Sequence, residues 1–83
     1  MPYIGNQDRR KEMDAIFNLM EELGVKADGD LNYLLFKYCK YCIKPGYNNY
    51  KNFLGELRQC CVEIERRLLA PYEDLKIKEN KDV

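Results

Sequence analysis

From Tyr50 to Leu68 the apolar side chains return every three or four residues: Tyr50, Phe53, Leu54, Leu57, Cys61, Ile64 and Leu68. That spacing lays them along one side of an α-helix, whereas a strand would alternate with period two. Met13, Ile16, Phe17, Met20 and Leu23 repeat the pattern, as do Leu31, Leu34, Leu35, Tyr38 and Cys42. No segment alternates with period two, and there are no internal repeats. The expected fold is therefore all-α, with three helices at about 8–23, 30–43 and 49–69 in one domain. Short connections favour antiparallel neighbours.

Residues that start and stop helices agree with these limits. Residues 1–7 form an extended lead-in, and Asn6 or Asp8 caps the first helix. Gly24 follows the last apolar residue, as a C-terminal glycine cap does. Asp30 is placed to cap the second helix, and Asn48 or Asn49 the third. Lys44-Pro45-Gly46 separates those two helices. Gly55 weakens the third by up to about 1 kcal/mol against alanine and marks a place where another helix can come close. Pro71 is expected to end the regular run, because the residue before a proline is steered away from helical angles. Residues 71–83 form a short C-terminal segment, helical or extended, of which the last five fray.

A chain of 83 residues buries a modest core and is marginal alone. The second helix adds to this pressure. Tyr33, Phe36, Lys37, Lys40 and Tyr41 fall off its stripe, so it is apolar or aromatic on more than one side. Such a helix faces a second partner, and a homo-oligomer is expected.

Fourteen basic and fourteen acidic side chains cancel, and residues 1–44 and 45–83 each carry seven of either sign. A nucleic-acid binder shows a basic stripe or a net positive charge, so no nucleic-acid partner is expected. Met1-Pro2-Tyr3-Ile4-Gly5 lacks the basic start and apolar run of a signal peptide, and no stretch reaches the roughly 20 apolar residues of a membrane span. A soluble, cytoplasmic protein without a membrane partner is expected.

The chemistry available is narrow. Histidine, serine and threonine are all absent, which removes the commonest general base and the usual hydroxyl nucleophiles. Neither the P-loop nor the dinucleotide glycine pattern occurs. The expectation is a protein that is not an enzyme and uses no cofactor. Cys39, Cys42, Cys60 and Cys61 suggest a four-thiolate zinc site. Adjacent Cys60 and Cys61 diverge by a quarter turn or more on a helix, so convergence on one ion needs local unwinding. The favoured reading is four small apolar packing residues with no metal.

A crowd of functional groups remains near the end of the third helix: Arg66, Arg67, Tyr72, Glu73, Asp74 and Lys76. Paired arginines form a donor fork for phosphate, and a tyrosine face takes a stacked base. Tyr33, Asn32 and Lys37 on the second helix offer a second stacking ring, an amide and a cation. The plainer alternative is that Arg66 and Arg67 complement the helix end and pair with Glu63 or Asp74.

The Met1–Ile4 start, the Gly29-Asp30-Leu31-Asn32-Tyr33 block and the Arg66–Val83 series resemble a family of short uncharacterised proteins from prokaryotes and their phages. The resemblance spans most of the chain and departs at Lys81, where the family pattern has glycine for a tight turn. It implies a prokaryotic or phage cytoplasmic setting. By analogy of size and setting, small phage proteins of this kind are often oligomeric binders, some of which sequester nucleotide second messengers.

Two functions follow as expectations. The first is a non-enzymatic homo-oligomer sequestering an anionic, nucleotide-like small molecule. Arg66, Arg67 and Lys37 would hold its phosphates, Tyr33 and Tyr72 stack on its base, and Asn32 read its edge. The alternative is a protein-interaction module for a host or phage protein, with no small-molecule ligand.

Overall fold

The computed structural model describes residues 4–80, and these are helical apart from the lead-in and the two connections. Helix α1 spans Gln7–Leu23, α2 spans Gly29–Cys42 and α3 spans Tyr47–Ile64. A π-helical turn, Glu65–Leu69, joins α3 to α4, Ala70–Asn80, without a break. The chain divides into two compact units after Tyr50, so the boundary falls inside α3. Lys81, where a lost turn was expected, lies outside the described residues, as do residues 1–3.

In the first unit each helix starts and stops for a visible chemical reason. The Asn6 side chain, rather than Asp8, caps α1, accepting from the backbone N–H groups of Asp8 and Arg9 at 2.9 and 3.2 Å. Arg10 holds the lead-in through a hydrogen bond from its guanidinium to the Ile4 carbonyl. Gly24 closes α1 with φ 67°, while Val25 N–H reaches back to Met20 O at 3.0 Å. That six-to-one bond with a left-handed glycine satisfies carbonyls the helix end would leave open.

The α2 cap differs from the sequence expectation. Asp28 is the capping residue, accepting from Asp30 N–H at 3.0 Å. Asp30 instead lies in the first turn and accepts from Lys26 N–H at 3.3 Å. Helix α3 likewise starts at Tyr47, ahead of the expected Asn48 or Asn49 cap, with Tyr50 N–H donating to Gly46 O at 3.0 Å.

No described residue is fully buried. In the first unit the half-buried apolar residues are Met13, Met20, Val25, Leu31, Leu35, Cys39 and Ile43. On α2 this is an i, i+4, i+8 line, which leaves Leu34 and Tyr38 of the expected stripe largely in water. Tyr33, Phe36 and Tyr41 are exposed too, so the aromatic surround of α2 faces solvent. The cysteines depart from the packing role expected of them. All four are free thiols, and only Cys39 is half-buried.

In the second unit the helix does not end at Pro71. Proline has no N–H to donate, and in a straight α-helix its ring meets the carbonyl four residues earlier, here that of Arg67. The π turn lies directly ahead of it. Ala70 N–H bonds to Glu65 O, five residues back, so the ladder is already widened where Pro71 would break it. The segment beyond is therefore helix as far as Asn80, including the first two of the residues expected to fray. At Gly55 no heavy atom comes within 4 Å of an added Cβ, so the expected close approach of another helix does not occur there.

Two consequences can be measured by urea or thermal unfolding. Gly24→Ala forces a side chain into the left-handed region and should lower stability by about 1 kcal/mol or more. An unchanged midpoint would show that α1 does not depend on this cap. Gly55→Ala should raise stability by about 0.5–1 kcal/mol, because open space surrounds the position and only helix propensity changes. Destabilisation by this variant would place a close neighbour at Gly55.

Candidate functional site

The doubled arginine sits in the π turn itself, the one described segment where the helical ladder changes pitch. π turns occur often at functional sites, where they re-aim side chains. Both guanidinium groups turn back to one carboxylate on α3. Arg66 Nη2 lies 3.4 Å from Glu63 Oε2, and Arg67 Nη1 lies 3.9 Å from the same oxygen. Of the two partners weighed from sequence, Glu63 is thus engaged.

These ion pairs are loose and wet. The Arg66 and Arg67 side chains are 69% and 60% exposed, and Glu63 only 21%. Exposed pairs of this kind each contribute about 0.2–1 kcal/mol. Beside Arg67 is an open groove of about 350 Å³ lined by Cys60, Glu63, Ile64, Arg67 and Leu68. It offers an apolar floor with cationic and anionic edges.

The acidic residues of the C-terminal cluster stand apart from the arginine groove. Glu73 and Asp74 line a different groove of about 300 Å³, with Glu65, Leu69, Ala70 and Ile77. Lys76 Nζ stands over the Tyr72 ring at 5.6 Å and pairs with Glu79 at 3.1 Å. The exposed Tyr72 ring is therefore already held by a cation, which fixes its face.

The α2 candidates belong to the first unit, and two of them, Tyr33 and Lys37, touch. Lys37 Nζ donates to Tyr33 Oη at 3.2 Å and lies 5.4 Å from the ring centroid. Asn32 is exposed in the first turn, with its backbone N–H donating to Asp28 O at 3.2 Å. Arg66, Arg67 and Tyr72 fall in the second unit, so the six candidates form two groups of three.

The sequence offers Glu63 and Asp74 as partners for the arginines, and Cys60, Ile64 and Leu68 only as a candidate ligand and stripe residues, not as the lining of a groove. The i, i+3 and i, i+4 spacing of Glu63 to Arg66 and Arg67 favours it over Asp74. Among the described residues no three metal-ligating side chains gather at one point. No described helix is long and apolar enough to cross a membrane.

The chain matches none of the curated proteins and none of the solved structures compared with it. A family model does match, and it covers residues 1–83. The chain therefore belongs to the family of the domain of unknown function DUF6899.

Proposed function

We propose that this protein is a non-enzymatic, self-associating binder that captures an anionic, nucleotide-like small molecule at the Arg66–Arg67 turn. The observation that carries this reading is the pair of adjacent, exposed guanidinium groups that share the Glu63 carboxylate beside an apolar groove. Two planar donor forks suit phosphate oxygens, and Glu63 keeps both oriented toward one side of the helix. Tyr72, its ring backed by Lys76, supplies a stacking face on the same unit. Tyr33, Lys37 and Asn32 of α2 give a second place for a ring and a phosphate to bind.

Nothing in this reading requires bond making. Binding alone removes a small anion from solution, which suits a chain without histidine, serine or threonine. The resemblance to short prokaryotic and phage proteins supports a cytoplasmic setting in which the sequestered ligand is a nucleotide signal. That support is by analogy of size and setting.

A second reading rests on a different observation. Tyr33, Phe36, Tyr38 and Tyr41 of α2 are all exposed, and tyrosine-rich surfaces are common in protein interfaces. On this reading the chain grips a host or phage protein and holds no small molecule. A pull-down that returns no other protein at stoichiometric amounts counts against it.

The binder is tested by calorimetry with a panel of linear and cyclic mono- and dinucleotides. At least one should bind, and Arg66→Ala with Arg67→Ala should weaken it by about tenfold or more. Equal affinity in the double variant, or no binding across the panel, contradicts the assignment.

A further inference from the structure

Seven apolar side chains of the second unit follow one seam once the π turn is counted, with Leu54, Cys61, Val62, Leu69 and Ile77 off it. Phe53, Leu57, Cys60 and Ile64 are spaced four, three and four, as in a heptad repeat. The next step should be three and would land on Arg67, whereas the apolar residue is Leu68, one position late. The π turn holds one residue more than an α turn, and it lies at Glu65–Leu69. It absorbs the extra residue, so Leu68, Tyr72 and Leu75 continue the same seam with steps of four and three.

From Cys60 onward this seam is exposed. We propose that its occupant is the same helix of a second copy, running antiparallel. Charge and size select this occupant. Counting from the seam, Glu56 flanks its N-terminal half, whereas Lys78 flanks the C-terminal half on the same side. Antiparallel pairing about residue 66 stacks Ile64 on Leu68′, Cys60 on Tyr72′ and Leu57 on Leu75′ (primes mark the second copy). The smallest seam residue meets the largest, and Glu56 comes beside Lys78′ twice, once on each side of the two-fold axis. Flanking charges of this kind set the orientation of paired helices.

A parallel pair lacks these matches. It would set Cys60 on Cys60′ and Tyr72 on Tyr72′. Its flanking neighbours would be Glu56 with Cys61′, Glu63 with Leu69′ and Pro71 with Lys76′, none of them an ion pair. Antiparallel pairing also brings Cys61 beside Leu69′, which widens the apolar contact. It sets Glu63 beside Pro71′, Leu54 beside Lys76′ and Phe53 opposite Glu79′, so the apolar seam is confined to residues 57–75. The Arg66–Arg67 turn of each copy then lies at mid-length of the pair. Cys60, Ile64, Leu68 and Tyr72 pack on the second copy, so the assembled form meets an anion through the guanidinium groups and not through the groove floor or the Tyr72 face. The proposal rests on the self-association in the reading above and does not depend on any ligand.

Sedimentation equilibrium on the full chain, Glu56→Lys, Lys78→Glu and the double variant tests it. The wild-type chain should self-associate, each single reversal should weaken this by at least about fivefold, and the double reversal should restore it. Circular dichroism establishes that every variant is helical. A helical wild-type chain that stays monomeric at tens of micromolar, or a double variant no stronger than the singles, overturns the proposal even if nucleotide binding is found. Tyr72→Cys gives an independent check under mild oxidation. The expected crosslink joins Cys60 to the introduced thiol of the other copy, and a Cys60–Cys60′ link overturns the antiparallel pair.

Discussion

Exposed apolar area is the constraint on which the rest of this molecule depends. Its helices carry clean stripes of apolar residues, yet no described residue is fully buried. A buried leucine or phenylalanine contributes about 1.5–3 kcal/mol, and here that contribution is left largely unclaimed within the chain. Helices of this length are marginal in water without packing. Caps and turns set where each helix begins and ends, but they are worth only about 1 kcal/mol apiece. On the proposed reading, a second copy supplies the missing burial.

The π turn connects that constraint to the candidate site. It keeps the apolar seam in step across one surplus residue, carries the helix past Pro71 and presents Arg66 and Arg67 beside Glu63. One local distortion thus serves packing and places charge. A regular α-helix through the same residues would put Arg67 on the seam.

Much of this was legible in the residues. The three helical segments and the Gly24 cap follow from spacing and capping chemistry, and Asn6 is one of the two caps that the sequence offers for α1. The misses have physical causes. Asp28 and Asp30 can each cap a helix, and only the three-dimensional turn decides which one does. Pro71 predicts a stop because proline ordinarily costs a helix about 3 kcal/mol, and no rule for single residues reports that a π turn ahead of it relieves the clash. The cysteines read as packing residues because apolar type does not reveal whether a neighbour covers them. Of the candidate site, the residue types were readable. Glu63 was readable as a partner from its spacing, whereas the groove beside Arg67 and the π turn that carries both arginines were not.

Native mass spectrometry of the protein purified from cells without added ligand tests the account most directly. It weighs the assembly and any small molecule retained in it. The account predicts an assembly of an even number of copies carrying a few hundred daltons of non-metal mass in a nucleotide-like adduct. A folded, bare monomer would contradict it, because the apolar seam would then stand in water without a partner and the arginine turn without a ligand.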